Sequence, residues 1–304
     1  MSPVSWLFVP GDDARKMARA VQSGADALIL DLEDAVGPDA KEAARRLVVQ
    51  TLRSPSPVPR WVRINALDTG LAEADLAAVL PEGPAGLMLP KCEGPEDLDR
   101  LAALMRARGG TVPVIAIATE TVRALRRLMR LDWSHPLLHA LTWGGEDLAA
   151  DLGASRNRGA DGRYLGPFRL AREMVLLAAH EAGVPALDAV YTDFRDKAGL
   201  HAEAEEAAAL GFGGKMAIHP DQIAVIGRAF APDPARVEWA RRVVVAMASG
   251  GVARLEGTML DRPHLRQAER ILALAALKPD ALASMPTRLS YPSKRHQTAP
   301  VIVW

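Results

Sequence analysis

The sequence predicts an α/β fold, a (β/α)8 TIM barrel followed by a C-terminal helical lid. Three observations predict it: apolar runs alternate with helix-like segments almost from the first residue, eight such runs fit before about residue 230, and most of them end in a charged or polar residue. A short apolar run bounded by turn residues reads as a strand buried on both faces, which is the environment of a parallel barrel. The expected divisions are 1–232 for the barrel, 233–277 for the lid and 278–304 for a tail.

Residues 6–9 form the first expected strand, closed by Pro10-Gly11, and Asp12 or Asp13 caps the helix that continues through Met17 and Val21. Residues 27–32 form the second, which ends in the acidic cluster Asp31, Glu33 and Asp34. A helix over about 39–52 and a Pro-rich loop at 54–59 lead into the third strand, 61–64, with Arg63 and Asn65 at its end. The fourth, 86–89, ends in Pro90-Lys91, and Pro95 suits the first turn of the next helix. The fifth run, 112–119, delivers Glu120, and the sixth, 140–146, delivers Asp147. Residues 152–165, polar and rich in Gly and Arg, read as a long loop over the strand ends. An amphipathic helix follows, with Leu170, Met174, Leu177 and Ala178 at helical spacing. Residues 186–191 and 216–218 complete the eight, the last ending in His219-Pro220. Beyond the barrel, 234–247 and 263–277 read as helices flanking a short apolar turn or strand, 255–260, that ends at Asp261. The tail has little pattern until the apolar 301–304, expected to dock on this or another subunit.

Composition narrows the function. The 304 residues carry 37 basic and 37 acidic side chains, a formal charge of zero, so nothing points to nucleic acid or an anionic membrane surface. The single cysteine, Cys92, excludes a disulfide framework and a Cys-based zinc site. No uninterrupted apolar run approaches membrane-spanning length. The expectation is a cytoplasmic enzyme acting on a small molecule.

In a barrel, Glu33, Asp34, Arg63, Lys91, Glu120, Asp147 and His219 would ring one mouth, because every strand opens its C-terminal end on the same face. For each alone, a solvated strand end or a helix cap is the commoner role; seven together favour a site. Glu120 and Asp147, without Cys or His companions at ligand spacing, suit a hard oxygen-preferring cation such as Mg²⁺. Glu146 is the second-choice ligand, because adjacent strand residues point to opposite faces. The Arg63 fork matches a substrate carboxylate. Asp31, Glu33 and Asp34 are expected to orient Arg63, Lys41 and metal-held waters rather than to hold the metal. Lys91 reads as an anion contact, with a Schiff-base, metal-free aldolase as the rival. Cys92, without an identifiable His partner, reads as packing. His135 and His139 are four apart, but Pro136 spoils the helix a zinc pair would need, so both read as loop residues. His219 binds a ligand or donates to a backbone carbonyl.

The segments Leu7-Phe8-Val9-Pro10-Gly11, Asp31-Leu32-Glu33-Asp34-Ala35-Val36, Val62-Arg63-Ile64-Asn65, Leu89-Pro90-Lys91, Thr119-Glu120-Thr121, Glu146-Asp147-Leu148, Gly214 through Pro220 and Gly257 through Pro263 together resemble the citrate lyase beta-subunit-like family of the HpcH/HpaI aldolase superfamily. The resemblance runs in order to about residue 277 and stops short of the tail. It implies a TIM barrel that makes or breaks a carbon–carbon bond between a 2-oxo acid and an acyl-CoA thioester, with Mg²⁺ held by Glu120 and Asp147 and the oxo acid gripped by Arg63. It also implies that Asp261 is the acid or base, reaching the site of a neighbouring subunit in a homotrimer or hexamer; a cap on the helix from Pro263 is its structural alternative. The stretch 191–196 and the segment around Asp261 are most similar to malyl-CoA and citramalyl-CoA lyases, ahead of the citrate lyase beta subunit and its carrier-bound thioester. A thioesterase acting on the same substrate and a non-catalytic binding subunit are the further alternatives. One departure is Val4, where many members carry an Arg near the first strand, which implies that any thioester or phosphate contact of that Arg is made differently here.

Overall fold

The structure, a computed structural model, describes residues 3–248 and 250–277. The expected tail, 301–304 included, lies outside the described residues. The chain forms two compact units, one ending at Phe230 and one beginning at Ala231.

In the first unit eight parallel strands close into a barrel in sequence order, the eighth pairing back onto the first. The order is β1 (Ser5–Pro10), α1 (Ala14–Ala20), β2 (Ala27–Asp31), α2 (Lys41–Arg53), β3 (Arg60–Arg63), α3 (Ala72–Val79), β4 (Gly86–Leu89) and α4 (Pro95–Arg106). It continues with β5 (Val114–Ile117), α5 (Val122–Leu128), β6 (Leu138–Thr142), α6 (Gly145–Leu152), α7 (Gly166–Glu181), β7 (Ala186–Asp188), α8 (Lys197–Leu210), β8 (Gly214–Ala217) and α9 (Ile223–Ala229).

Side-chain alternation along these strands builds two cores. One row, including Trp6, Ile29, Trp61, Met88, Ile117 and Met216, fills the barrel interior. The alternate row, including Leu7, Leu28, Val62, Leu87, Leu141 and Ala217, packs beneath the helices. Trp6 and Trp61 meet edge to face, 5.5 Å between centroids, and plug the N-terminal end. A Cβ on Gly86 would stand 2.1 Å from the Trp61 ring, so the plug requires glycine there.

The expected and observed elements differ where polar or glycine residues interrupt an apolar run. β6 starts at Leu138 and ends at Thr142, because Gly144-Gly145 stop the extended run and open α6. His139 therefore lies in a strand rather than a loop; the register skips it between Val114 and Ile115, and its ring packs on Trp61 at 4.9 Å. β7 spans three residues rather than six. Helix α3 has no counterpart in the sequence reading. On α7 the period was right and the face half right: Ala178 is buried and Met174 packs on the core, but Leu170 and Leu177 are exposed, and Phe168, Ala171, Arg172, Val175 and Ala179 complete the inward face. Small alanines let the helix approach the strands, so size outranked hydrophobicity. Val4 precedes β1, at the barrel end away from the mouth, so an Arg at that position would not line the cavity.

The second unit contains α10 (Pro234–Ala246), β9 (Ala253–Leu255), β10 (Thr258–Leu260) and α11 (Arg262–Leu277). Ala240, Val243, Met247, Leu260 and Ala268 form its core. The expected single apolar segment is a hairpin, whose two turn residues Glu256 (φ 51°) and Gly257 (φ 83°) both take the left-handed conformation such tight turns use.

Candidate active site

Asp31 and Arg63 are register partners at the C-terminal ends of β2 and β3. Arg63 Nε and Nη2 donate to the two oxygens of Asp31 at 2.8 and 2.6 Å, a bidentate fork, and the guanidinium lies 4.9 Å from the Phe8 ring centroid. Nη1 is left to approach Glu33 at 2.9 Å and Asp34 at 3.3 Å. Burial would lower the Arg63 pKa; its bonds to Asp31 and the charges of Glu33 and Asp34 more than offset it, so the net shift is upward. The loop that carries Glu33 is pinned from below, Lys41 Nζ donating to the Leu32 and Glu33 carbonyls at 2.7 Å each and Asn65 Nδ2 to the Leu32 carbonyl at 3.1 Å. Lys41, expected to be oriented by the acidic side chains, instead bonds the loop carbonyls and so holds the loop.

Lys91 links the acids. It sits past the end of β4 at φ 50°, a strained value for a residue with a Cβ. There its N–H donates to Glu120 Oε2 at 2.6 Å, while Nζ donates to Glu33 Oε1 at 2.6 Å and lies 3.2 Å from Asp147 Oδ1. Burial pushes the Glu120 carboxyl up, with help from the charges of Asp147 and Glu33, to about 8. Burial likewise raises Glu33 to about 7, against the opposing pull of Arg63 and Lys91. Asp147 is in the first turn of α6, not on a strand end. Glu146 shares that turn, which removes the opposite-faces argument; both line the cavity, and Glu146 accepts a hydrogen bond from Asn157 Nδ2 at 2.7 Å.

The cavity measures about 460 Å³. Arg63, Glu120 and Asp147 line one side, and Phe8, Ile117, Trp143, Tyr164 and Met216 supply an apolar wall. A more open depression of about 600 Å³, around Arg106 and His135, lies toward the opposite end of the barrel and gathers no such set of acids. The apolar wall rests on a buried ionic network that the sequence reading missed. Trp143 Nε1 donates to Asp188 at 2.8 Å; Asp188 also accepts from Arg172 at 3.0 Å and Lys215 at 2.7 Å. Lys215 in turn donates to Glu203, and Arg158, paired with Glu203, stacks between Tyr164 and Tyr191. A lysine immediately before the eighth apolar run was the visible signal.

The residues fit a divalent cation. Asp31, Glu33, Asp34, Glu120 and Asp147 outnumber Arg63, Lys91 and Lys41 by two. Glu33 Oε2 is buried and, although 2.9 Å from Arg63 Nη1, receives no hydrogen bond of acceptable angle. Gly144 makes room for the Glu120 carboxylate, since a Cβ there would stand 2.7 Å from its Cγ and 3.0 Å from Oε1. Among the described residues no three His, Cys, Asp or Glu side chains form a ready cage. The Glu120 and Asp147 pair suits Mg²⁺, which commonly takes one or two carboxylates and completes its sphere with water or substrate oxygens.

His219 is placed apart from this set. His219 Nδ1 accepts the Asp221 N–H at 3.2 Å and its ring stacks on Phe194 at 4.8 Å; it caps a turn and is not in the cavity wall. Asp261 belongs to the second unit, at the start of α11, where its Oδ1 lies 2.6 Å from His264 Nδ1. Cys92 is fully buried, as expected of packing.

With this geometry in view, residues 4–220 match the family described as HpcH/HpaI aldolase/citrate lyase. The mitochondrial citramalyl-CoA lyase of Rattus norvegicus is 35% identical over 291 residues, covering 88% of this chain and 85% of the relative. The (3S)-malyl-CoA thioesterase of Cereibacter sphaeroides is 36% identical over 282 residues, covering 89% and 94%. The crystal structure of CitE from Mycobacterium tuberculosis, in complex with magnesium, acetoacetate and coenzyme A, superposes with a TM-score of 0.79 at 38% identity, over 90% of this chain and 98% of that one.

Proposed function

Since this chain belongs to the HpcH/HpaI aldolase/citrate lyase family, we propose that it is a magnesium-dependent carbon–carbon lyase. Its proposed substrate is a malyl-CoA- or citramalyl-CoA-like thioester, cleaved to or formed from a 2-oxo acid and an acyl-CoA. The observation that carries this is the convergence of Arg63 with Glu120 and Asp147 on one cavity backed by an apolar wall. Arg63, Glu33, Asp34, Lys91, Glu120 and Asp147 are the proposed site; His219 is the weakest of the proposed substrate contacts.

Glu120 and Asp147 would hold the cation, which as a Lewis acid polarises the oxygens of the oxo-acid half. Arg63, fixed by Asp31, neutralises the substrate carboxylate through its Nη1 edge, where Asp34 at 3.3 Å is the contact most readily displaced. Lys91 keeps Glu120 aimed through its backbone and balances Glu33 through its ammonium. The wall of Trp143 and Tyr164 excludes water from the breaking bond. In cleavage the substrate hydroxyl gives its proton to water as the carbon–carbon bond breaks, the bond's electron pair becoming an acyl-thioester enolate, which Asp261 protonates at carbon; in the reverse condensation Asp261 removes that proton. In this reading Asp261 serves the site of another copy in a homotrimer or hexamer. The compartment proposed is the cytoplasm, whose reducing conditions suit the buried free thiol of Cys92; among the described residues no helix is long and apolar enough to cross a membrane. The name of the rat relative makes the mitochondrion the rival location.

The test is to follow 2-oxo acid and free thiol separately from malyl-CoA and citramalyl-CoA, with Mg²⁺ and with excess chelator. Oxo acid appearing with metal and not with chelator supports the lyase. Thiol without oxo acid would instead support a thioesterase, the second reading, favoured by the 36% identical relative of that name.

A further inference from the structure

Among titratable groups the proposed chemistry leaves unused, His264 lies nearest to one it does use. Its Nδ1 is 2.6 Å from Asp261 Oδ1, and the two side chains are 36% and 51% exposed. Spacing of three residues folds the ring back over the carboxylate at the first turn of α11. Two lone pairs would repel at that separation, so a proton lies between the atoms. The Asp261 N–H also faces Nδ1, at 3.2 Å, but a protonated Nδ1 has no lone pair left for it. The short contact is therefore the bond the ring makes, and it fixes the orientation of a half-exposed carboxylate that water would otherwise solvate. Among the described residues Nε2 has no hydrogen-bond partner.

We propose that His264 is a positioning residue that orients Asp261 and supplies its carboxylate with a proton from water. The inference rests on the role proposed for Asp261. A water proton adds to Nε2, the Nδ1 proton passes to Oδ1, and the imidazole ends neutral. Asp261 gives that proton to the α-carbon of the thioester enolate and returns to carboxylate. The ring resets by releasing its Nε2 proton to water and regaining one on Nδ1. One proton moves from water to carbon, and no oxidant or reductant takes part.

The test uses the full chain with Mg²⁺ and compares wild type, Asp261→Asn, His264→Ala and His264→Asn in oxo-acid release from citramalyl-CoA. Wild-type cleavage lost in Asp261→Asn secures the premise. His264→Ala should then lower kcat roughly 10²-fold with KM changed less than about twofold. Free imidazole should restore part of that loss, and should do nothing for Asp261→Asn. His264→Asn keeps a donor but cannot relay, and should stay as slow as His264→Ala. Unchanged kcat in His264→Ala, a change confined to KM, failure of imidazole rescue, or full activity in His264→Asn would each overturn the proposal. A wild type that releases no oxo acid would sink the lyase reading instead, and an active Asp261→Asn would remove Asp261 from the chemistry and His264 with it.

Discussion

A methyl group on Gly144 would stand 2.7 Å from Cγ of Glu120. The carboxylate cannot retreat freely, because the Lys91 N–H holds Oε2 at 2.6 Å. Backbone strain is not at issue, since Gly144 has φ −127°, open to any residue. Gly144→Ala should therefore fold normally yet lose Mg²⁺ affinity by about tenfold or more, equivalent to about 1.4 kcal/mol, on isothermal titration.

Glu120 makes the site pH-sensitive. Its carboxyl is pushed from the ordinary 4.5 to about 8, so between those values the native metal-free chain binds a proton that the unfolded chain does not. Stability without metal should fall as pH rises through that window, and Mg²⁺ affinity should rise as the competing proton leaves. Melting temperatures in chelator at pH 6, 7 and 8.5, with magnesium titrations at each, should show these slopes in wild type; Glu120→Gln should lose the stability slope above pH 7 and keep below it the share that Glu33, raised to about 7, contributes.

Lys91 should not form a Schiff base. Burial alone would lower its pKa, but the bond to Glu33 and the charges of Glu33, Glu120 and Asp147 carry it above the ordinary value, so its nitrogen lone pair is occupied at neutral pH. Borohydride added with pyruvate should leave the intact mass unchanged; a reduced adduct on Lys91 would reinstate the metal-free aldolase.

If Asp261 acts on a neighbouring copy, two inactive variants should complement each other. Asp147→Asn and Asp261→Asn homomers should each be inactive, and oligomers reassembled from a mixture should recover part of wild-type turnover. No recovery in mixed oligomers, verified by differential tags, would confine each site to one chain.

Lys215 is fully buried against Asp188 and Glu203. Lys215→Met should destabilise the chain by about 3–5 kcal/mol in urea unfolding, because it leaves buried acid short of a partner. Burial would raise Asp188, but Lys215 and Arg172 hold its carboxyl at about 2. The stability it contributes is complete above its ordinary 3.8 and is lost as pH falls from there through about 2.

Glu33, Arg63, Lys91 and Glu120 were legible because a strand buried on both faces is a continuous apolar run, and the charge that ends it stands out. Asp147 was assigned to the right end of the barrel on the wrong element; Gly144-Gly145, read as strand, was the break. The ionic network was illegible for a different reason. Arg172, Asp188, Glu203 and Lys215 are far apart in sequence, and their charges cancel only once α7, α8, β7 and β8 are packed. Trp143 and Tyr164 resemble any core aromatic until the cavity beside them is known. Helix α3, Ala72–Val79, escaped notice because its alanine-rich sequence shows little contrast between faces.

The rung shared by Asp31 and Arg63 also determines where this chain can change length. Insertions into the exposed residues 153–156, between α6 and α7, leave every strand pairing of the barrel intact. One extra residue between Trp61 and Arg63 would turn the guanidinium from the cavity into the layer beneath the helices, with Asp31 left facing an apolar neighbour. Lineages of this chain should therefore accumulate gaps in that loop freely, while in β3 they could alter which residues appear but not how many.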